Sequence, residues 1–258
     1  MGSGNETEMT GKKIFFLYPS SLIQNEIAWE LIQQEYEVYH VRSHEGLRHA
    51  LRRFPDSIVF INLDDGLSEK DWDAWIRAVT GDPALGEVKI GVLSAANSDD
   101  ARKKYAQAMR LPCGYTVVDR ADVLKTVKQL YVLLLAVDAR GRRKYIRATS
   151  ENETLTTINI PRNGIYYKGV IKDISVVGLS CAFHEDPDLD KNTLCQDMQI
   201  KLQSTILKAE AITFGSRMDG LVKIYVFLFT QRIDPDVRIK IRTYIQSTLQ
   251  AKMNTLIR

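Results

Sequence analysis

Cysteine is scarce: the chain of 258 residues carries three, Cys113, Cys181 and Cys195, an odd number with no CxxC spacing. That excludes a disulfide framework and a zinc ribbon, and reads as reduced thiols in a reducing compartment. Histidine numbers four. His44 and His49 stand five apart and do not share a helix face, His40 falls in a strand pattern, and His184 is remote in sequence. No metal set is expected. Long apolar runs are missing as well. The longest, Leu130 to Val137, is too short to cross a bilayer, and the polar, acidic N-terminus has no signal-peptide pattern. These absences point to the cytoplasm, without membrane insertion. Enzyme motifs are lacking too. There is no GxGxxG and no GxSxG; Gly11-Lys12 has no upstream P-loop glycine and precedes a strand pattern. The acid pairs Asp64/Asp65 and Asp99/Asp100 read as helix starts or a solvated loop, where carboxylates complement the helix dipole. Neither catalysis nor a cofactor is expected.

What the chain does have is enough apolar material to fold: 45% hydrophobic against 26% charged residues, which excludes a disordered chain. Its length favours two modest domains. Net charge is only +3, yet Arg140, Arg142, Arg143, Lys144 and Arg147 fall within eight residues. Such local density suits phosphate, nucleic acid or an acidic surface.

The hydrophobic period changes near that cluster. From Lys13 to about Asp138, continuous apolar runs alternate with helical patterns. Ile14–Tyr18, Glu37–Val41, Ser57–Leu63, Val88–Leu93 and Tyr115–Val118 read as strands. Helices are expected from Ser20 or Ser21 to Leu31, from His44 to Arg53, from Ser68, from Asp99 to Met109 and from near Ala121. Buried strands separated by helices predict an α/β domain with a doubly wound parallel sheet. Beyond Arg147 the pattern is short strands with turn residues between them: Leu155–Ile160, Ile165–Ile171, Leu179–Phe183, Met198–Leu202, Leu207–Thr213 and Val222–Leu228. Within them Met198, Ile200 and Leu202 alternate with their neighbours, as do Val222, Ile224, Val226 and Leu228. An antiparallel β-barrel or sandwich follows, with a last helix opening at Asp234-Pro235. The apolar stripe of that helix, Val237, Ile241, Tyr244, Ile245 and Leu249, can dock on the barrel or on another copy, so a homodimer is compatible with it. The expected division is 1–11 as a tag or disordered N-terminus, 12–138 as the α/β domain and 139–258 as the barrel domain. The helix from Ala121 is expected to run straight into the arginine cluster.

Arg143-Lys-Tyr-Ile-Arg147 sets two guanidiniums four residues apart before the first barrel strand, and Asp173-Ile-Ser175-Val-Val-Gly178 follows between two strand patterns. Guanidinium forks suit phosphate oxygens and the O6/N7 edge of guanine, and they stack on purines. A carboxylate suits the opposite guanine edge, where two N–H donors lie side by side. Ser175 can bond base or phosphate, and Gly178 would allow a positive φ and a close backbone approach. Alone, an arginine run reads as a solvated linker and a DxSxxG turn as a hairpin. Their conjunction is what points to binding.

This conjunction resembles the signature of PilZ domains, receptors for the bacterial second messenger cyclic di-GMP. RxxxR followed by (D/N)xSxxG is matched at Arg143, Arg147, Asp173, Ser175 and Gly178, and the resemblance covers about 140 to 258. It implies a β-barrel with a closing helix, arginines on phosphate and guanine, and an Asp/Ser turn on a guanine edge. Arg142 precedes the first motif arginine, and the resemblance there implies an intercalated dimer of the ligand.

The N-terminal alternation resembles receiver domains of two-component systems, but the residues such a domain uses are absent. No acid follows the first strand, which ends Leu17-Tyr18-Pro19; Asn62 or Ile61 stands where a phosphoacceptor is expected. Ser94 fits the hydroxyl position, and the fifth strand ends Val117-Val118-Asp119 without lysine. Without metal-binding acids a phosphoryl group has no charge neutralisation. The domain therefore reads as a degenerate receiver kept for interaction with a protein partner. The leading expectation is a non-enzymatic cyclic di-GMP receptor that transmits binding through interdomain reorientation. The alternative is a ligand-independent adaptor. A nucleic-acid binder ranks last, because only Tyr145 interleaves with the basic cluster.

Overall fold

The computed structural model describes residues 11–150 and 155–257. The expected N-terminal tail lies outside these residues except for Gly11. The described residues fall into two compact units, one within Met1–Lys144 and Gln250–Arg258, the other Tyr145–Leu249.

The first unit is the expected α/β sheet. Strands β1 (Ile14–Leu17), β2 (Val38–Val41), β3 (Ile58–Asn62), β4 (Lys89–Ser94) and β5 (Tyr115–Val117) pair in parallel in the order β2-β1-β3-β4-β5. β1 and β3 are buried at every position, as strands covered on both faces must be. The helices are α1 (Ile23–Ile27 continued by Ala28–Gln33), α2 (His44–Arg53), α3 (Glu69–Thr80), α4 (Asp99–Arg102 continued by Lys103–Ala108) and α5 (Val123–Ala136). Side chains of Ser43, Ser68, Ser98 and Asp122 cap α2, α3, α4 and α5, each accepting a backbone N–H of the first turn. On α3 the helical stripe Trp72, Trp75, Ile76 and Val79 is buried.

One expectation fails here. α5 does not continue into the arginine cluster; it ends at Ala136. Asp138 adopts φ 50°, its N–H bonds to Leu135 O at 3.1 Å, and the N–H of Ala139 reaches back to Leu134 O at 3.0 Å. This pairing of bonds is a Schellman stop, with aspartate in the left-handed position that glycine usually takes. The chain then folds onto its own unit. Ala139 O accepts the N–H of Lys12 at 2.9 Å, and Arg140 donates to Gln34 O at 3.1 Å while lying over the ring of Tyr36.

The second unit is a closed antiparallel barrel. Its strands are β7 (Thr156–Arg162), β8 (Ile165–Ser175), β9 (Gly178–Phe183), β10 (Leu194–Leu202), β11 (Thr205–Asp219) and β12 (Val222–Phe229), with a short β6 (Ala148–Thr149) added on β8. Their order is β6-β8-β7-β10-β11-β12-β9, and pairing of β8 with β9 closes the ring. Met198, Ile200 and Leu202 point inward as their alternation predicts. In β12 the core takes Tyr225 and Phe227, at 1% and 0% exposure, together with Ile224, while Leu228 is left 41% exposed. Both faces of β12 are apolar, so register decides. Aromatics bury roughly 150–250 Å² each, more than valine or leucine offers, and they occupy the inside.

The closing helix is α6 (Pro235–Ile257). Ile241, Tyr244 and Ile245 join the barrel core, so its apolar stripe docks on the barrel. Its last residues, Gln250 onward, group with the first unit. There the Gln250 amide accepts from His40 N at 2.9 Å and donates to His40 O at 3.0 Å, covering backbone groups of the edge strand β2.

Candidate functional site

β6 sets the first motif contact. Ala148 pairs with Ile174 and Thr149 with Asp173, and Ser150 N donates to Lys172 O at 2.9 Å. This ladder lays the residue before β6, Arg147, alongside β8. Its guanidinium stands 3.4 Å from Asp173 Oδ1, with the Arg147 side chain 50% and that of Asp173 22% exposed. β8 turns at Ser175-Val176-Val177-Gly178 into β9, closed by the Ser175–Gly178 pair. Asp173, Ser175 and Gly178 therefore share one hairpin end with Arg147.

Ser175 is buried and shapes the turn: its hydroxyl donates to Gly178 O at 3.1 Å and accepts from Val177 N at 3.4 Å. Gly178 has no positive φ, contrary to one half of the expectation. Its glycine is required by the close approach of β12: a Cβ there would lie 2.2 Å from Phe227 O. One residue escapes sequence reasoning. Ser180, two positions after the motif glycine, donates its hydroxyl to Asp173 Oδ2. Its only signal is the strand period, which puts 178 and 180 on one face of β9.

Arg142 and Arg143 belong to the first unit and are exposed. They line a cavity of about 230 Å³ with Lys12, Arg140, Glu35 and Glu37. That volume is below the range of roughly 300–1,000 Å³ that encloses a drug-sized ligand.

In the α/β unit, the position of the missing acids is filled. Tyr18 has φ 50°, and its ring lies against Gly66, where a Cβ would come within 2.8 Å of it. The Asn62 amide donates to Tyr18 O at 2.9 Å. Asp64 lies exposed in a turn, as expected, and also acts as a clamp: its carboxylate accepts the Ser94 hydroxyl at 2.6 Å and Ala95 N at 2.7 Å. Asp119 caps the start of the next helix region, accepting from Ala121 N, Asp122 N and Lys125, which holds its carboxyl below the usual range. Each of these groups is satisfied by a neighbour. Among the described residues no group of three or more His, Cys, Asp or Glu could hold a metal ion, and no helix is long and apolar enough to cross a membrane.

No family model matches the chain, and no curated protein matches it. Among solved structures, the C-terminal portion is similar to YcgR of Escherichia coli in complex with c-di-GMP, at 14% identity and TM-score 0.40, over 45% of this chain and 50% of that chain. The PilZ domain with c-di-GMP of YcgR from Escherichia coli matches at 13% identity and TM-score 0.37, over 44% of this chain and 95% of that one. A K. pneumonia MrkH–c-di-GMP complex matches at 19% identity and TM-score 0.39, over 45% and 57%. The match thus spans about half the length of the first of these chains. It is in the barrel portion that this chain is similar to structures of PilZ proteins.

Proposed function

We propose that this protein is a non-enzymatic receptor for cyclic di-GMP, bound by Arg142, Arg143, Arg147, Asp173, Ser175 and Gly178. The observation that carries the reading is the Arg147–Asp173 pair on the β8–β9 hairpin of a closed barrel. An exposed ion pair of this kind is worth about 0–1 kcal/mol. Charge-assisted hydrogen bonds to a ligand are worth about 1.5–3 kcal/mol each. Opening the pair to admit an anionic guanine nucleotide is therefore favourable. Arg147 turns to phosphate or to the guanine O6/N7 edge, and Asp173 accepts from the opposite edge. Ser175 and Gly178 keep the hairpin in shape, with one lone pair of the Ser175 hydroxyl left to the ligand. Arg142 and Arg143 supply the remaining cations, and Arg142 favours an intercalated ligand dimer.

Calorimetric titration of cyclic di-GMP into wild type and Arg147→Ala tests the reading. Binding by wild type that weakens roughly a hundredfold in the variant is expected, with two ligands per chain if the dimer binds. Equal heats in both proteins would remove Arg147 from the site. Transmission to a protein partner by reorientation of the receiver-like unit belongs to the same proposal, although α5 stops before the arginines. A scattering profile unchanged by ligand would remove that part.

The ligand-independent adaptor keeps one observation of its own. Leu194, Ile212 and Leu228 lie in register across β10, β11 and β12 and are all exposed, as is Phe214. No heat with wild type would favour this second reading.

A further inference from the structure

We infer that Ser180 is a positioning residue for guanine selection, acting through Asp173; the inference rests on the cyclic di-GMP reading above. Asp173 and Ser180 are cross-strand partners, brought opposite each other where the β8–β9 register shifts between Ile171 and Asp173. Ser180 is 3% exposed and donates its hydroxyl to Asp173 Oδ2, while Arg147 faces Oδ1. Each carboxylate oxygen can accept more than one hydrogen bond. Ser180 therefore fixes the plane of the carboxylate and leaves acceptor capacity on both oxygens. Guanine offers two adjacent N–H donors on the edge that a carboxylate reads, and a bidentate contact demands that plane. Adenine offers no such pair. Phosphate recognition by the arginines is blind to the base; selection at the N–H edge of guanine falls on Asp173, and its geometry falls on Ser180.

A buried hydroxyl of this sort also serves stability, so the readout must separate the two roles. Cyclic di-GMP and cyclic di-AMP are titrated into wild type, Ser180→Ala, Ser180→Cys, Ser180→Thr, Asp173→Ala and the double variant Asp173→Ala/Ser180→Ala. Circular dichroism confirms folding of each. Loss of the hydroxyl is expected to weaken cyclic di-GMP about tenfold and to leave any weaker binding of cyclic di-AMP unchanged. Ser180→Cys, close in size and only a weak donor, repeats the loss should the alanine variant not fold. Ser180→Thr restores the affinity. In the Asp173→Ala background, Ser180→Ala adds nothing further. Wild type that binds cyclic di-GMP with Ser180→Ala and Ser180→Cys equally tight overturns the role of Ser180 alone. Equal weakening of both dinucleotides, or additive losses in the double variant, also overturns it. Wild type that binds neither dinucleotide overturns the receptor reading beneath it.

Discussion

The two units treat their polar loops in opposite ways. At the ends of β1, β3 and β4 in the α/β unit, Tyr18, Asn62, Asp64 and Ser94 bond to one another or to nearby backbone. The Asp64 carboxylate accepts at both oxygens, and Asn62 and Ser94 are buried. At the β8–β9 hairpin of the barrel, a half-exposed arginine meets a partly exposed aspartate across 3.4 Å, and Ser180 holds the carboxylate closely. Both loops carry charge, yet one pairs its carboxylate with hydroxyl and backbone donors at 2.6 and 2.7 Å, and the other pairs it across 3.4 Å with an arginine half exposed to solvent. A polar site that has satisfied itself is part of the fold. A polar site held in place but only loosely paired is ready for a ligand.

The largest expected effect breaks this contrast at the barrel. Arg147→Ala should weaken cyclic di-GMP binding roughly a hundredfold, whereas Ser94→Ala should leave it unchanged; calorimetry reads both. Gly178→Ala should come next. The new Cβ meets backbone of β12 rather than a yielding side chain, and overpacking of this kind costs about 1–3 kcal/mol. The barrel's thermal transition should fall, with the hairpin and ligand affinity disturbed together. On the other side, Asp64→Ala should destabilise the α/β unit by about 1–3 kcal/mol by leaving the Ser94 hydroxyl and Ala95 N–H without their acceptor. A denaturant titration measures this, and cyclic di-GMP affinity should not move.

The smallest effect is a pH dependence confined to the α/β unit. Burial, and secondarily Arg42, lowers the His40 pKa from 6.5 to about 4, and its Nε2 is buried with no hydrogen-bond partner. The folded state thus favours neutral His40, while the unfolded chain takes up a proton near pH 6.5. The His40 contribution is complete above about pH 6.5 and is lost as pH falls toward 4. Melting curves of wild type and His40→Gln should converge as the pH drops through that window. Parallel curves would show that His40 is not the source.

The same contrast explains what could be read from the chain and what could not. Buried parallel strands announce themselves as continuous apolar runs, and Ile14–Leu17 and Ile58–Asn62 lie where those runs stand. Ser68 at the start of α3 was equally legible, because capping is a local interaction. The stop of α5 was not. Aspartate at position 138 carries no strong breaker signal, and the fold-back depends on backbone bonds to Leu134 and Leu135. In β12 alternation pointed to Val222, Ile224, Val226 and Leu228, but a strand apolar on both faces leaves the choice to packing, which took Ile224 of these together with Tyr225 and Phe227. At the candidate site, spacing marked Arg147, Asp173, Ser175 and Gly178. It could not reveal Ser180, whose role arises from cross-strand register, nor the reason for Gly178, which lies in the backbone of β12.

The central claim is that the barrel's hairpin end is open to ligand while the loops of the α/β unit are closed upon themselves. Its most direct test is a titration of cyclic di-GMP followed by amide chemical shifts of the isotope-labelled protein. The account predicts large, saturable shifts at Arg147, Asp173, Ser175, Gly178 and Ser180, with Tyr18, Asn62, Asp64 and Ser94 nearly still. Saturable shifts centred on Asn62, Asp64 and Ser94, with the β8–β9 hairpin unmoved, would contradict it.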